Sequence, residues 1–125
     1  MTIGDAIAVV DKLKPNHYPG PMKVKWLSNL DGQIFREVIT THEDAEAETF
    51  DGYNEQTPMD TRLLVPFPFE QDVYVYYLQA QIDKENGEIL KYNQSISMYN
   101  NAYLTFLNWY NTNHMPIHAG KRFLF

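Results

Sequence analysis

The chain has 125 residues, 44% of them hydrophobic and 21% charged, with no cysteine and 10 basic against 16 acidic side chains for a net charge of −6. That describes one globular domain and excludes a disulfide scaffold, a thiolate zinc site and a cysteine nucleophile. The acidic balance argues against binding nucleic acid by phosphate neutralisation, which needs clustered Lys and Arg. The longest apolar stretch, residues 63–69, is too short for a bilayer and contains two prolines, while Asp5 and Asp11 stand where a secretory leader would be basic. The expectation is a cytoplasmic protein.

Thr2 followed three residues later by Asp5 matches a capping box, and Ile3, Ala6, Ile7, Val10 and Leu13 recur at helical spacing up to Pro15. A short first helix is expected there. After the turn at residues 16–20, Pro21 suits the first position of a second helix, in which Trp26, Leu27, Leu30, Ile34 and Val38 form the apolar side. Lys23, Lys25, Asp31, Arg36 and Glu37 fall mainly on the other side, and Gly32 weakens the helix without ending it.

Seven acids, Glu43, Asp44, Glu46, Glu48, Asp51, Glu55 and Asp60, then occur with no Lys or Arg among them. With Gly52, Asn54 and Pro58 and few large apolar residues, this stretch reads as a long solvated loop on which few buried contacts depend. Leu63, Leu64 and Val65 form the best extended apolar run, and Pro66 and Pro68 keep the chain extended until a third helix opens near Phe69 or Glu70.

The third helix should end near Glu85, because Asn86 and Gly87 supply the chemistry of a helix C-terminus. Ile89, Tyr92, Ile96, Tyr99, Tyr103, Phe106 and Tyr110 then follow alternating spacings of three and four, a heptad stripe that reads as core packing. A helical hairpin turning at Gly87 is preferred over one long kinked helix. Asn86, Asn93 and Asn100 repeat beside the stripe at intervals of seven, which suits either polar packing against another chain or a solvated face. The domain plan is therefore two helices in residues 1–41, an acidic loop in 42–62, a long hairpin in 63–114 and a tail in 115–125. The fold class is all-α, about four helices.

Chemistry-bearing patterns are sparse. His114 and His118 have the spacing of two imidazoles on one helical face, but Pro116 between them ends the helix. His42 with the neighbouring acids lacks the ordered spacing and glycine of a calcium loop. No glycine-rich phosphate loop, nucleophile elbow or paired carboxylate set in an apolar pattern is present. No catalytic, cofactor or metal residue is assigned.

Trp26-Leu27, Leu30-Asp31-Gly32, the 63–66 run Leu-Leu-Val-Pro, the 77–83 run Tyr-Leu-Gln-Ala-Gln-Ile-Asp and Asn86-Gly87-Glu88 occur in an order that resembles small phage and prophage head-tail connector proteins. Tyr92-Asn93, Tyr99-Asn100, Trp109-Tyr110-Asn111 and His114-Met115-Pro116 fit a Gram-positive phage subgroup of that adaptor and head-completion class. The resemblance implies an α-helical, non-enzymatic subunit that forms a ring beneath the portal. Its partners would be further copies of itself and portal or tail proteins, with DNA only as passing cargo and no membrane. The rival is a non-viral interaction module using the Tyr/Asn-rich helix.

Candidate interface residues are Asn93 and Asn100, with Lys121, Arg122, Phe123, Leu124 and Phe125 of the tail. Three large apolar side chains in five residues need covering. Edge pairing onto Leu63, Leu64 and Val65 of a neighbour would supply a cover.

Overall fold

A computed structural model describes residues 1–39 and 49–113. The four helices are α1 (Ile3–Leu13), α2 (Gly20–Ile34), α3 (Glu70–Glu85) and α4 (Ile89–Asn113), and α2 widens into a π-type turn over Phe35–Ile39. The fold is an all-α bundle with α3 at its centre, packed against α1, α2 and α4.

The capping box closes α1 as the sequence implies: the Thr2 hydroxyl accepts the Asp5 N–H at 3.1 Å, and the Asp5 carboxylate accepts the Thr2 N–H at 3.1 Å. Those bonds to the charged form hold the Asp5 carboxyl below its ordinary range. Ile3, Ala6 and Val10 are buried, as are Leu27, Leu30, Ile34 and Val38 of the second helical segment. Pro21 is the second residue of α2 rather than the first.

Two assignments on α2 are reversed. Lys23 and Asp31, placed by helical phase on the solvent side, are 3% and 0% exposed. Helical phase marks one apolar stripe, but α2 also meets α1, α3 and the connection before α3, so it is covered on more than one side. A polar side chain is tolerated inside when its atoms are bonded, and Lys23 Nζ donates to Asp11 Oδ1 at 2.7 Å.

The connection to α3 is also less solvated than its composition suggests. Residues 40–48, with Glu43, Asp44, Glu46 and Glu48, lie outside the described residues, and Asp51, Glu55 and Asp60 are exposed. Between them, however, Phe50 packs on Phe35 and Tyr53, with ring centroids 5.9 and 5.2 Å apart. Tyr53 donates its N–H to Ser28 Oγ at 2.9 Å. Further on, the Met59 and Thr61 carbonyls accept the Gly4 and Ile3 N–H groups. The second half of this loop is part of the fold, because two aromatic rings and an ordered backbone compensate for the acids around them.

Leu63, Leu64 and Val65 form no strand: the chain bends at Leu64 and Val65 and turns over residues 67–69, so the extended run expected before α3 is not what the two prolines produce. An isolated bridge between Thr2 and Arg62 is the nearest approach to sheet among the described residues. Their three N–H groups are taken within the chain, by the Met1 carbonyl at 3.0 Å, Asp31 Oδ2 at 3.1 Å and Tyr74 Oη at 2.8 Å. The N–H donors of the segment that a neighbour's tail was expected to pair with are therefore already taken.

Gly87, at φ +72°, turns the chain from α3 into α4, and the two helices pack as an antiparallel hairpin. Contacts step down the pair: Ser95 Oγ donates to Asp83 Oδ2 at 2.8 Å, the Tyr77 and Tyr99 rings lie 5.3 Å apart, and Phe69 meets Trp109 at 5.1 Å. The heptad stripe is core at Tyr99, Phe106 and Tyr110 but opens to water at its start, where Ile89 is 71% exposed. Near the turn the small Ser95 takes the buried position on α4, while Ile89 and Leu90 are exposed.

Candidate interaction surface

Twenty-five residues at 1.5 Å each make α4 about 37 Å long. Its packing within the chain is chiefly with α3, which covers one side only. The other side carries Asn93, Ser97, Asn100, Leu104 and Asn108, all exposed. No charged side chain occurs anywhere from Tyr92 to Asn113. A helix whose outer side faces bulk water ordinarily carries Lys and Glu, whereas depletion of charge marks the centres of protein interfaces. Leu104 and Met98 add exposed apolar area at 53% and 46%.

Both helical interface candidates, Asn93 and Asn100, thus sit on this outer side, two turns apart in one row. The tail candidates, Lys121, Arg122, Phe123, Leu124 and Phe125, lie outside the described residues, as do His42, His114 and His118. Asn86 belongs elsewhere: it accepts the Tyr18 hydroxyl at 2.6 Å and ties the hairpin turn to the segment before α2. Thr105, Thr112 and Asn113 bond back to carbonyls four residues earlier, so their polar groups serve α4 itself.

Beside this outer side, an open groove of about 220 Å³ runs between the start of α3 and the middle of α4. Phe69, Tyr76, Met98 and Ala102 give it an apolar lining, and Asp72 contributes one charge. It is partly open to solvent.

Two buried carboxylates hold this architecture in place, and neither was legible as such in the sequence. Asp83 on α3 is fully buried; it pairs with Lys14 from the end of α1 and accepts Ser95 from α4. Asp31 on α2, equally buried, accepts three donors: the Tyr74 hydroxyl at 2.5 Å, the Tyr53 hydroxyl at 2.5 Å and the Leu64 N–H at 3.1 Å. Burial raises its pKa to about 6 against the opposing pull of those hydrogen bonds. Burial, with the Asp31 charge adding to it, likewise pushes the Tyr53 and Tyr74 hydroxyls upward. The two acids belong to separate hydrogen-bond networks with no shared partner, so they do not form a paired acid and base. A carboxylate beside Leu30 or Ile82 gives no signal of its own unless the tyrosine or lysine that meets it is known.

Among the described residues no cluster of three His, Cys, Asp or Glu is placed to hold a metal ion, and no helix is long and apolar enough to cross a membrane. No family model, curated protein or solved structure matches the chain.

Proposed function

We propose that this chain is a structural subunit of a phage or prophage head-tail connector, a non-enzymatic adaptor that assembles as a ring at the portal vertex and joins head to tail. The observation that carries this reading is the outer side of α4: a rigid 25-residue helix, held from behind by α3 and presenting uncharged amide and hydroxyl groups with a few apolar ones. That composition suits contact with protein, since both faces of such a contact lose water without stranding a charge. The order of sequence motifs that resembles head-tail connectors supplies the kind of assembly. Its partners are further copies of the chain and portal or tail proteins; DNA passes as cargo.

The reading is tested by sedimentation velocity over a wide concentration range, alone and with the neighbouring gene products, on the chain and on an Asn93→Lys/Asn100→Lys variant. Large species formed by the wild type and lost by the variant, with an unchanged melting temperature, are expected. A chain that stays monomeric throughout, encoded away from any portal or capsid gene, overturns it and favours the interaction module of a non-viral protein.

A further inference from the structure

Asp31 is the meeting point of three parts of the fold. Its carboxylate sits on α2, Tyr74 reaches it from α3, and Tyr53 and Leu64 reach it from the connection between them. No Lys, Arg or His among the described residues bonds it; the ionisable groups that face it are Tyr53 and Tyr74. A buried carboxylate without a cation is charged at a cost, and that cost is removed either by taking up a proton or by letting water in.

We propose that Asp31, Tyr53 and Tyr74 form a proton-linked latch that holds residues 49–65 against α2 and α3, closing more firmly when the carboxylate is protonated. The geometry says where the proton goes. The Tyr74 hydroxyl accepts the Val65 N–H, so its own hydrogen is committed to Asp31 Oδ1, and the Leu64 N–H is fixed by the backbone. Tyr53 alone is free to turn: it is half-buried, its hydroxyl meets Oδ2, and on rotation it accepts the new proton from Oδ2 and donates its own hydrogen outward. Opening of residues 49–65 removes the Tyr53 and Leu64 bonds to Asp31, takes Val65 off Tyr74 and hydrates the carboxylate, which favours the charged form.

The sign follows from linkage. The closed state holds Asp31 at about 6 against an ordinary 3.8. The extra stability of closure is therefore fully present below the lower value and is lost as pH rises through the upper one. Between pH 5 and pH 7.5 the opening equilibrium should rise about tenfold for a group shifted by that amount. This latch rests on the interior alone and stands whether or not the chain is a connector subunit.

Three amides report on it directly: Tyr53, bonded to Ser28 Oγ, Leu64, bonded to Asp31, and Val65, bonded to Tyr74. Hydrogen exchange of the whole chain at pH 5 and pH 7.5, corrected for intrinsic exchange rates, should show their protection falling about tenfold while mid-α4 amides stay constant. Asp31→Asn should abolish that difference. Tyr53→Phe, a milder change, should steepen it, because the charged carboxylate loses more than the neutral acid does when a donor is removed. Equal changes at the reporter and α4 amides, the opposite sign, or a pH response that survives in Asp31→Asn overturns the proposal.

Discussion

The hydroxyl of Tyr74 stands between Val65 and Asp31, accepting the Val65 N–H at 2.8 Å and donating to Asp31 Oδ1 at 2.5 Å. One oxygen thereby satisfies a backbone donor of the segment before α3 and a carboxylate on α2, all of it out of contact with water. Tyr74→Phe keeps the ring and its packing but leaves both groups buried without that partner. The expected loss is about 3 kcal/mol, above that of an ordinary hydrogen bond because an unsatisfied buried group bears its full desolvation cost. Urea denaturation at pH 7 measures it; a loss under about 1 kcal/mol would mean that water replaces the hydroxyl.

Phe106 is 1% exposed and meets Phe69, Trp109 and Tyr110 at centroid distances of 6.2, 6.5 and 5.8 Å. Replacing it with Ala should cost about 3 to 5 kcal/mol, the transfer term plus the cavity that these rigid rings leave open. Tyr103→Phe should cost far less. Its hydroxyl donates to Glu37 at 3.3 Å at an exposed position, and the ring is retained. Near-equal melting temperatures for the two variants would contradict the packing described for α4.

The pair of Lys14 and Asp83 couples the end of α1 to the hairpin. Asp83 is fully buried while Lys14 keeps some access to water, and Ser95 supplies the second bond to the carboxylate. Lys14→Met should therefore cost about 2 to 3 kcal/mol, less than the loss of a fully buried partner because Asp83 retains Ser95 and water reaches the vacated position. Adding Asp83→Leu should recover part of that loss, since no unpaired charge is then left inside. A double variant weaker than the single one would show that Asp83, through its bond to Ser95, orders the α3 and α4 register even without Lys14.

What the sequence reveals is what periodicity and caps encode. The limits of α1, the break at Gly87 and the burial of Leu30, Ile34 and Phe106 follow from local spacing and turn chemistry. Asn93 and Asn100 fall on one exposed row for the same reason. Lys23, Asp31 and Asp83 were illegible because their burial depends on partners 12 to 69 residues away, and a lone charged residue carries no mark of the hydroxyl, carboxylate or ammonium that will meet it. The folded part of the acidic connection was hidden likewise: Phe50 and Tyr53 are two rings among polar residues, and only the tertiary fit to Phe35, Ser28 and Asp31 packs them, half-buried, against the fold.

Gly52 and Gly87 both adopt positive φ, +85° and +72°, but only one of them is crowded. A Cβ on Gly87 would meet nothing within 4 Å, so Gly87→Ala should cost only the left-handed conformation, about 1 kcal/mol. At Gly52 the same atom would lie 2.7 Å from Ser28 Oγ, the acceptor of the Tyr53 N–H. Gly52→Ala must therefore displace Ser28 as well, breaking the bond that aligns Tyr53 with Asp31, for about 2 to 3 kcal/mol in all. The excess over Gly87→Ala isolates the packing contribution. Adding Ser28→Ala to Gly52→Ala should cost little more, because the first change has already lost the bond and the second removes the clash. Paired urea denaturation curves decide it: equal losses for Gly52→Ala and Gly87→Ala would show that Ser28 turns aside freely and does not anchor residues 49–65.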